Sequence, residues 1–173
     1  QAQAWNLREL AGVALIQTDE RCTSCHGPDR VAAAVQAGRI TRPPVWLNSH
    51  VVDPLVIAPG VREAPPANAA DTLAIQAALA RLRSGSPPTA DSAARHLQVL
   101  ISRFCLNCHV IDGVGGKDGP NLSAPGLKFG ADQIEQRLID PKSVQADAQM
   151  PAQADRISAD DIKLIAAWLA NRK

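Results

Sequence analysis

The chain has 173 residues, enough for one ordinary domain or two small ones, and its 46% hydrophobic and 20% charged content excludes a disordered polypeptide. A formal net charge of +1, nearly balanced in each half, offers no basic face for nucleic acid or an acidic membrane, and no apolar run reaches the roughly 18–20 residues of a membrane span. Aromatic residues make up only 3%, with no Tyr, so something other than large side-chain rings must fill the core.

The first residues, Gln1-Ala2-Gln3-Ala4, lack an initiator Met and fit a mature end after export, a trimmed end or a domain excised from a longer protein. Trp5 to Gln17 predicts a helix, with Leu7, Leu10, Ala11, Ala14 and Leu15 at helical spacing. Cys22-Thr23-Ser24-Cys25-His26 follows, then a long segment read as loop. Within it, Pro44 to His50 reads as a short helix opened by proline, just before Asp53-Pro54. Asp71 to Leu82 predicts a helix carrying Leu73, Ala77, Leu79 and Ala80. Ser84-Gly85-Ser86-Pro87-Pro88-Thr89 has the composition of a linker.

The order then repeats. Asp91 to Arg103 predicts a helix with Asp91 as N-cap and Ala94, Leu97, Leu100 and Ile101 on one face. Cys105-Leu106-Asn107-Cys108-His109 stands 83 residues after the first motif. A second loop-rich segment leads to Asp140-Pro141 and a polar, helix-free stretch from Gln145 to Ala154. Ser158 caps a last helix to Ala170, with Ile162, Ile165, Ala166 and Leu169 inward. Two domains follow, residues 1–86 and 87–173, each too small to bury a comfortable core unaided.

All four cysteines lie in the two Cys-x-x-Cys-His motifs. In such a motif two thiols reach the two vinyl groups of a haem, and the adjacent His sits under the iron. A zinc site or two disulfides is the competing reading. Two copies, each with His directly after the second Cys and no Cys left over, weigh against it. The expected cofactors are two covalent haems c, attached through Cys22, Cys25, Cys105 and Cys108, with His26 and His109 as proximal iron ligands.

The second half resembles a class I, mitochondrial-type cytochrome c domain. The resemblance rests on Cys105–His109, Gly119-Pro120-Asn121-Leu122, the Asp-Pro pair, Met150-Pro151 and a terminal helix containing Trp168. It implies an all-α fold of two tandem cytochrome c domains, each a few helices and long loops around a haem. It also implies that Pro120 gives its carbonyl to the His109 ring and that Met150 is the sixth ligand. Met150 is the only Met in the chain and has little to pack against as core filler.

The first half departs from this pattern, with no Met and no Gly-Pro-x-Leu. Ten residues after Asp140 stands Met150; ten after Asp53 stands Glu63. Of the four His, His50 and His96 remain. The resemblance places the position three before the Asp-Pro pair on the distal face, so His50 is the expected sixth ligand, with Trp46 one turn earlier against the haem edge. His50 bonded to a propionate over a five-coordinate iron, and His96 as ligand, stay open. Arg39 and Arg42 are either propionate partners or solvated loop arginines.

His/Met ligation favours a higher potential than His/His. The expected activity is therefore electron transfer through two unlike haems, by a soluble carrier or a subunit of a redox complex. No catalytic residue is assigned, and the expected partners are redox proteins. A small haem enzyme or ligand sensor with an open first haem is the alternative. Covalent haem attachment outside the bacterial cytoplasm predicts an exported, periplasmic protein.

Overall fold

The computed structural model describes residues 5–18, 20–38, 40–56, 68–85, 88 and 94–173. The expected Asp91 cap, Arg39, Glu63, the first four residues and half of the linker lie outside them. Residue contacts divide the chain into two compact units, Gln1–Arg103 and Phe104–Lys173.

In the first unit, helix α1 spans Leu7–Thr18. Its start is set by a reciprocal cap: the Glu9 N–H donates to Asn6 Oδ1 at 3.0 Å and the Asn6 N–H donates to Glu9 Oε2 at 2.9 Å. Helix α2 is Glu20–His26 and contains the whole first motif. Helix α3, Pro28–Ala37, occupies part of the stretch expected to be loop. Pro28 presets its first turn, Val31 and Val35 supply a buried i,i+4 pair, and Gly38 ends it in the left-handed conformation. Helix α4 is Pro44–Val52, followed by a 3-10 turn at Pro54–Val56.

Helix α5, Ala69–Arg83, starts at Asn68, whose side chain accepts from the Asp71 N–H at 2.9 Å. Its inward row is Ala70, Ala74, Ile75, Ala78 and Leu82, whereas the expected Leu73 is 47% exposed. The reason is how closely α1 and α5 approach. A Cβ on Gly12 would lie only 2.7 Å from Ala78 Cβ and still closer to the Ala74 carbonyl. Only small residues fit such a contact, so the alanines turn inward and Leu73 outward. Ala11, Val13, Leu15, Ile16, Val31, Val35, Ala74, Ile75, Ala78 and Leu82 form the core, with Trp5, Ile40, Val51, Leu79 and Val99 at its margin.

Helix α6, Arg95–Phe104, contributes Val99 to that margin. Its Arg103 grips Asp71 bidentately, Nε to Oδ1 at 3.1 Å and NH2 to Oδ2 at 2.7 Å. The buried Asp71 also accepts from Asn68 Nδ2 at 2.7 Å.

The second unit opens on the second motif and a two-residue hairpin, β1 (Val110–Ile111) and β2 (Val114–Gly115), with Ile111 opposite Val114. Asp112 and Gly113 turn it at φ 52° and 80°, the pairing of positive values that Asp-Gly accepts readily. After a 3-10 turn at Pro125–Leu127 come helices α7 (Ala131–Ile139), α8 (Pro141–Val144) and α9 (Ala159–Ala170). Ser158 caps α9 through the Asp161 N–H at 3.2 Å, as expected. Ile134 and Leu138 of α7 and Ile162, Ile165, Ala166 and Leu169 of α9 are buried.

The same local corner occurs in each unit. Helix α4 ends at Asp53 (φ −148°, ψ 95°) and α7 at Asp140 (φ −142°, ψ 86°). Each Asp N–H bonds four residues back, to Ser49 and Gln136, and each Asp Oδ1 accepts from the turn that follows. A proline begins that turn in both. No helix among the described residues is long and apolar enough to cross a membrane.

Candidate haem sites

In the second unit the chain after α6 winds through the motif in tight turns. His109 N–H donates to the Cys105 carbonyl at 2.9 Å and Cys108 N–H to the same oxygen at 3.2 Å. Gly119 N–H returns to the Cys108 carbonyl at 2.8 Å. These bonds bring the segment ending in Pro120 onto the buried His109 ring, whose Nδ1 lies 2.8 Å from the Pro120 carbonyl oxygen. A carbonyl only accepts, so Nδ1 carries the proton and Nε2 keeps its lone pair for a metal. The approach leaves no room for a side chain at 119, where a Cβ would sit 2.5 Å from His109 Cε1 and 2.6 Å from Nδ1.

Cys105 is buried and Cys108 exposed. Burial, with the Cys108 charge adding, pushes the Cys105 thiol up to about 12. A thiol so held stays neutral at neutral pH, and no charge is stranded when it becomes a thioether. Met150 is half-buried in a helix-free stretch and lines an open cleft of about 330 Å³ with Asp140, Pro141, Lys142, Ala148, Gln149, Pro151 and Ala152.

In the first unit the motif is helical. Cys22 and Cys25 lie three residues apart on α2, and His26 ends that helix. Helix α4 carries Trp46 and His50 one turn apart. The rings of His26 and His50 meet edge to face, with their Nε2 atoms 3.5 Å apart. Burial first, and then the neighbouring His26, lower the pKa of His50 below its ordinary value. That favours the neutral imidazole, the form that ligates metal. An iron between two imidazoles needs about 4 Å between the nitrogens, at roughly 2.0 Å per bond. The two side chains therefore fit a shared metal after a widening of about half an ångström.

Trp46 stacks on His50, ring centroids 5.0 Å apart and planes at 22°, where a contact with the haem edge was expected. The exposed Arg42 guanidinium lies over the Trp46 ring at 5.0 Å. In the second unit, the residue three before the Asp-Pro corner is Arg137, which covers Phe129 at 4.0 Å and donates to the Gln133 carbonyl at 3.0 Å. The same register position thus holds an imidazole in one unit and a guanidinium, which has no lone pair to give a metal, in the other. His96 is exposed on α6. No disulfide joins any of the four cysteines, and among the described residues no three His, Cys, Asp or Glu side chains gather as a metal cage.

Sequence reading missed the hairpin, α3, α7 and the Asn68 cap. Each had a local signal: Asp112-Gly113, Pro28 with Gly38, the Ile134/Leu138 pair, and Asn68-x-x-Asp71. The clearance at Gly119 had no local signal, whereas the Trp46–His50 stack is an i,i+4 contact within α4 whose only signal was helical spacing.

Comparison with known proteins adds one match. Residues 92–169 match the family model described as cytochrome C oxidase, cbb3-type, subunit III. The matched span begins within the segment before α6 and takes in the second motif, Pro120 and Met150. No curated protein and no solved structure matches the chain. The family match, covering somewhat less than half of the chain, supports a c-type cytochrome with covalently bound haem c and a role in haem-based electron transfer.

Proposed function

We propose that the chain is an electron-transfer protein with two covalent haems of unlike ligation, made of two tandem class I cytochrome c domains. When bound, each haem supplies one-electron chemistry at iron. The facing Nε2 atoms of His26 and His50, 3.5 Å apart, carry the reading of the first site. His26 and His50 would supply two imidazoles to the first iron, and Cys22 and Cys25 would fix the porphyrin. In the second site Cys105 and Cys108 would anchor the porphyrin, and His109 and Met150 would supply an imidazole and a thioether to its iron. Pro120 keeps the His109 ring in its metal-binding tautomer. The repeated Asp-Pro corner supports the tandem reading, with the division near residues 84–89. The chain passes electrons between redox proteins in the periplasm, as a free carrier or as a cytochrome subunit of a redox complex. The matched family's description, an oxidase subunit, favours the second of these settings.

The test is stoichiometry and ligation of the purified holo-protein. Mass and the pyridine haemochrome should give two haems per chain. The ferric EPR spectrum should contain one bis-imidazole and one imidazole–thioether low-spin signal. A single haem per chain, or two His/Met signals, would falsify the assignment.

A further inference from the structure

The two candidate sites hold their imidazoles in different ways. His109 has its Nδ1–H on the Pro120 carbonyl at 2.8 Å. His50 Nδ1 is shut away from solvent and has no hydrogen-bond partner among the described residues. Metal-bound histidines ordinarily donate this second nitrogen to an acceptor, which fixes the ring and strengthens it as a ligand. What meets the His50 ring is Trp46, stacked at 5.0 Å and four residues earlier on α4. Arg42 lies over that indole in turn.

We propose that Trp46 is the positioning residue for His50: ring stacking, in place of a hydrogen bond, keeps its imidazole aimed at His26, and the first iron accordingly has a distal ligand that yields to a small neutral molecule such as carbon monoxide. The inference rests on the reading that His26 and His50 flank the first iron. Two physical differences from His109 support it. No hydrogen bond has to break when the His50 ring swings away. An imidazole whose N–H is unpaired is also a poorer electron donor than one whose N–H is bonded. A stacked aromatic pair contributes little enough that its loss changes an equilibrium by up to about tenfold.

The experiment is stopped-flow mixing of the reduced holo-protein with carbon monoxide, read alongside the ferric EPR spectrum. In the parent, one haem should bind carbon monoxide slowly, at a rate that levels off with concentration because departure of His50 limits it. Trp46→Ala should raise that limiting rate about tenfold and shift the bis-imidazole signal. Trp46→Phe, which keeps a ring to stack, should stay within about twofold of the parent. His50→Ala should bind without a limiting rate. The proposal is overturned if Trp46→Ala leaves both the rate and the EPR signal as in the parent, or if neither parent haem binds carbon monoxide. If His50→Ala behaves as the parent, the ligand assignment itself falls. Circular dichroism of each variant separates these results from loss of α4.

Discussion

At the scale of single residues, much of the second site depends on Gly119 having no side chain. A methyl group there would overlap the imidazole of His109 and lever it from the Pro120 carbonyl. We expect Gly119→Ala to lower stability by about 1–3 kcal/mol, the usual range for overpacking a close contact. On the proposed two-haem reading, the same variant should disturb the low-spin absorbance of the second site's haem and leave that of the first unchanged. Thermal unfolding together with the visible spectrum checks this; equal disturbance of both haems would contradict it. The Cys-x-x-Cys-His motifs differ in their surroundings as well: Cys105 is buried, whereas Cys25, Cys108 and His26 are exposed. Attachment chemistry needs only the spacing, so the motif is blind to this difference.

Among the elements, α5 and α6 are joined through one ion pair whose members are unequal. The side chain of Asp71 is 5% exposed and that of Arg103 37%. Arg103→Met leaves a buried carboxylate with Asn68 as its remaining side-chain donor in this arrangement. Asp71→Asn leaves a guanidinium that can turn to water. The first change should cost about 2–4 kcal/mol, below the 3–5 of a fully buried pair because the arginine is partly solvated, and the second about half as much. Chemical denaturation of both variants gives the comparison, and a larger loss for Asp71→Asn would refute the argument. This ion pair and Val99 place α6 up to Arg103 in the first compact unit, although the family match already begins at residue 92. Sequence composition points to the linker near Ser84–Thr89 as the boundary, whereas packing draws α6 to the preceding core.

Over the whole molecule, the proposed ligand sets differ by one donor, an imidazole from His50 against a thioether from Met150. Axial ligands move haem potentials over a range of about 0.8 V, with thioether favouring the ferrous state. A spectroelectrochemical titration should therefore resolve two one-electron steps. Met150→His should lower the upper step towards the lower one, and His50→Met should raise the lower step. A single unresolved step in the parent would remove the basis for unlike haems.

The sequence alone determined the two Cys-x-x-Cys-His motifs, the candidate ligands and most helices, because covalent spacing, apolar periodicity and caps are local properties. The resemblance to class I cytochrome c domains marked His50 by register, three residues before an Asp-Pro pair whose local geometry recurs at Asp140. The missed helices α3 and α7 lay in stretches read by their loop-like composition, and the outward turn of Leu73 followed from a backbone contact at Gly12. Only the tertiary structure decided that His26 and His50 face each other. It also decided that the buried His109 ring meets Pro120 across the space left by Gly119. The approaches of His26 to His50 and of His109 to Pro120 are fixed by how separate helices and turns pack, which no local pattern of residues encodes, whereas the one-turn spacing of Trp46 and His50 on α4 was already legible in the sequence.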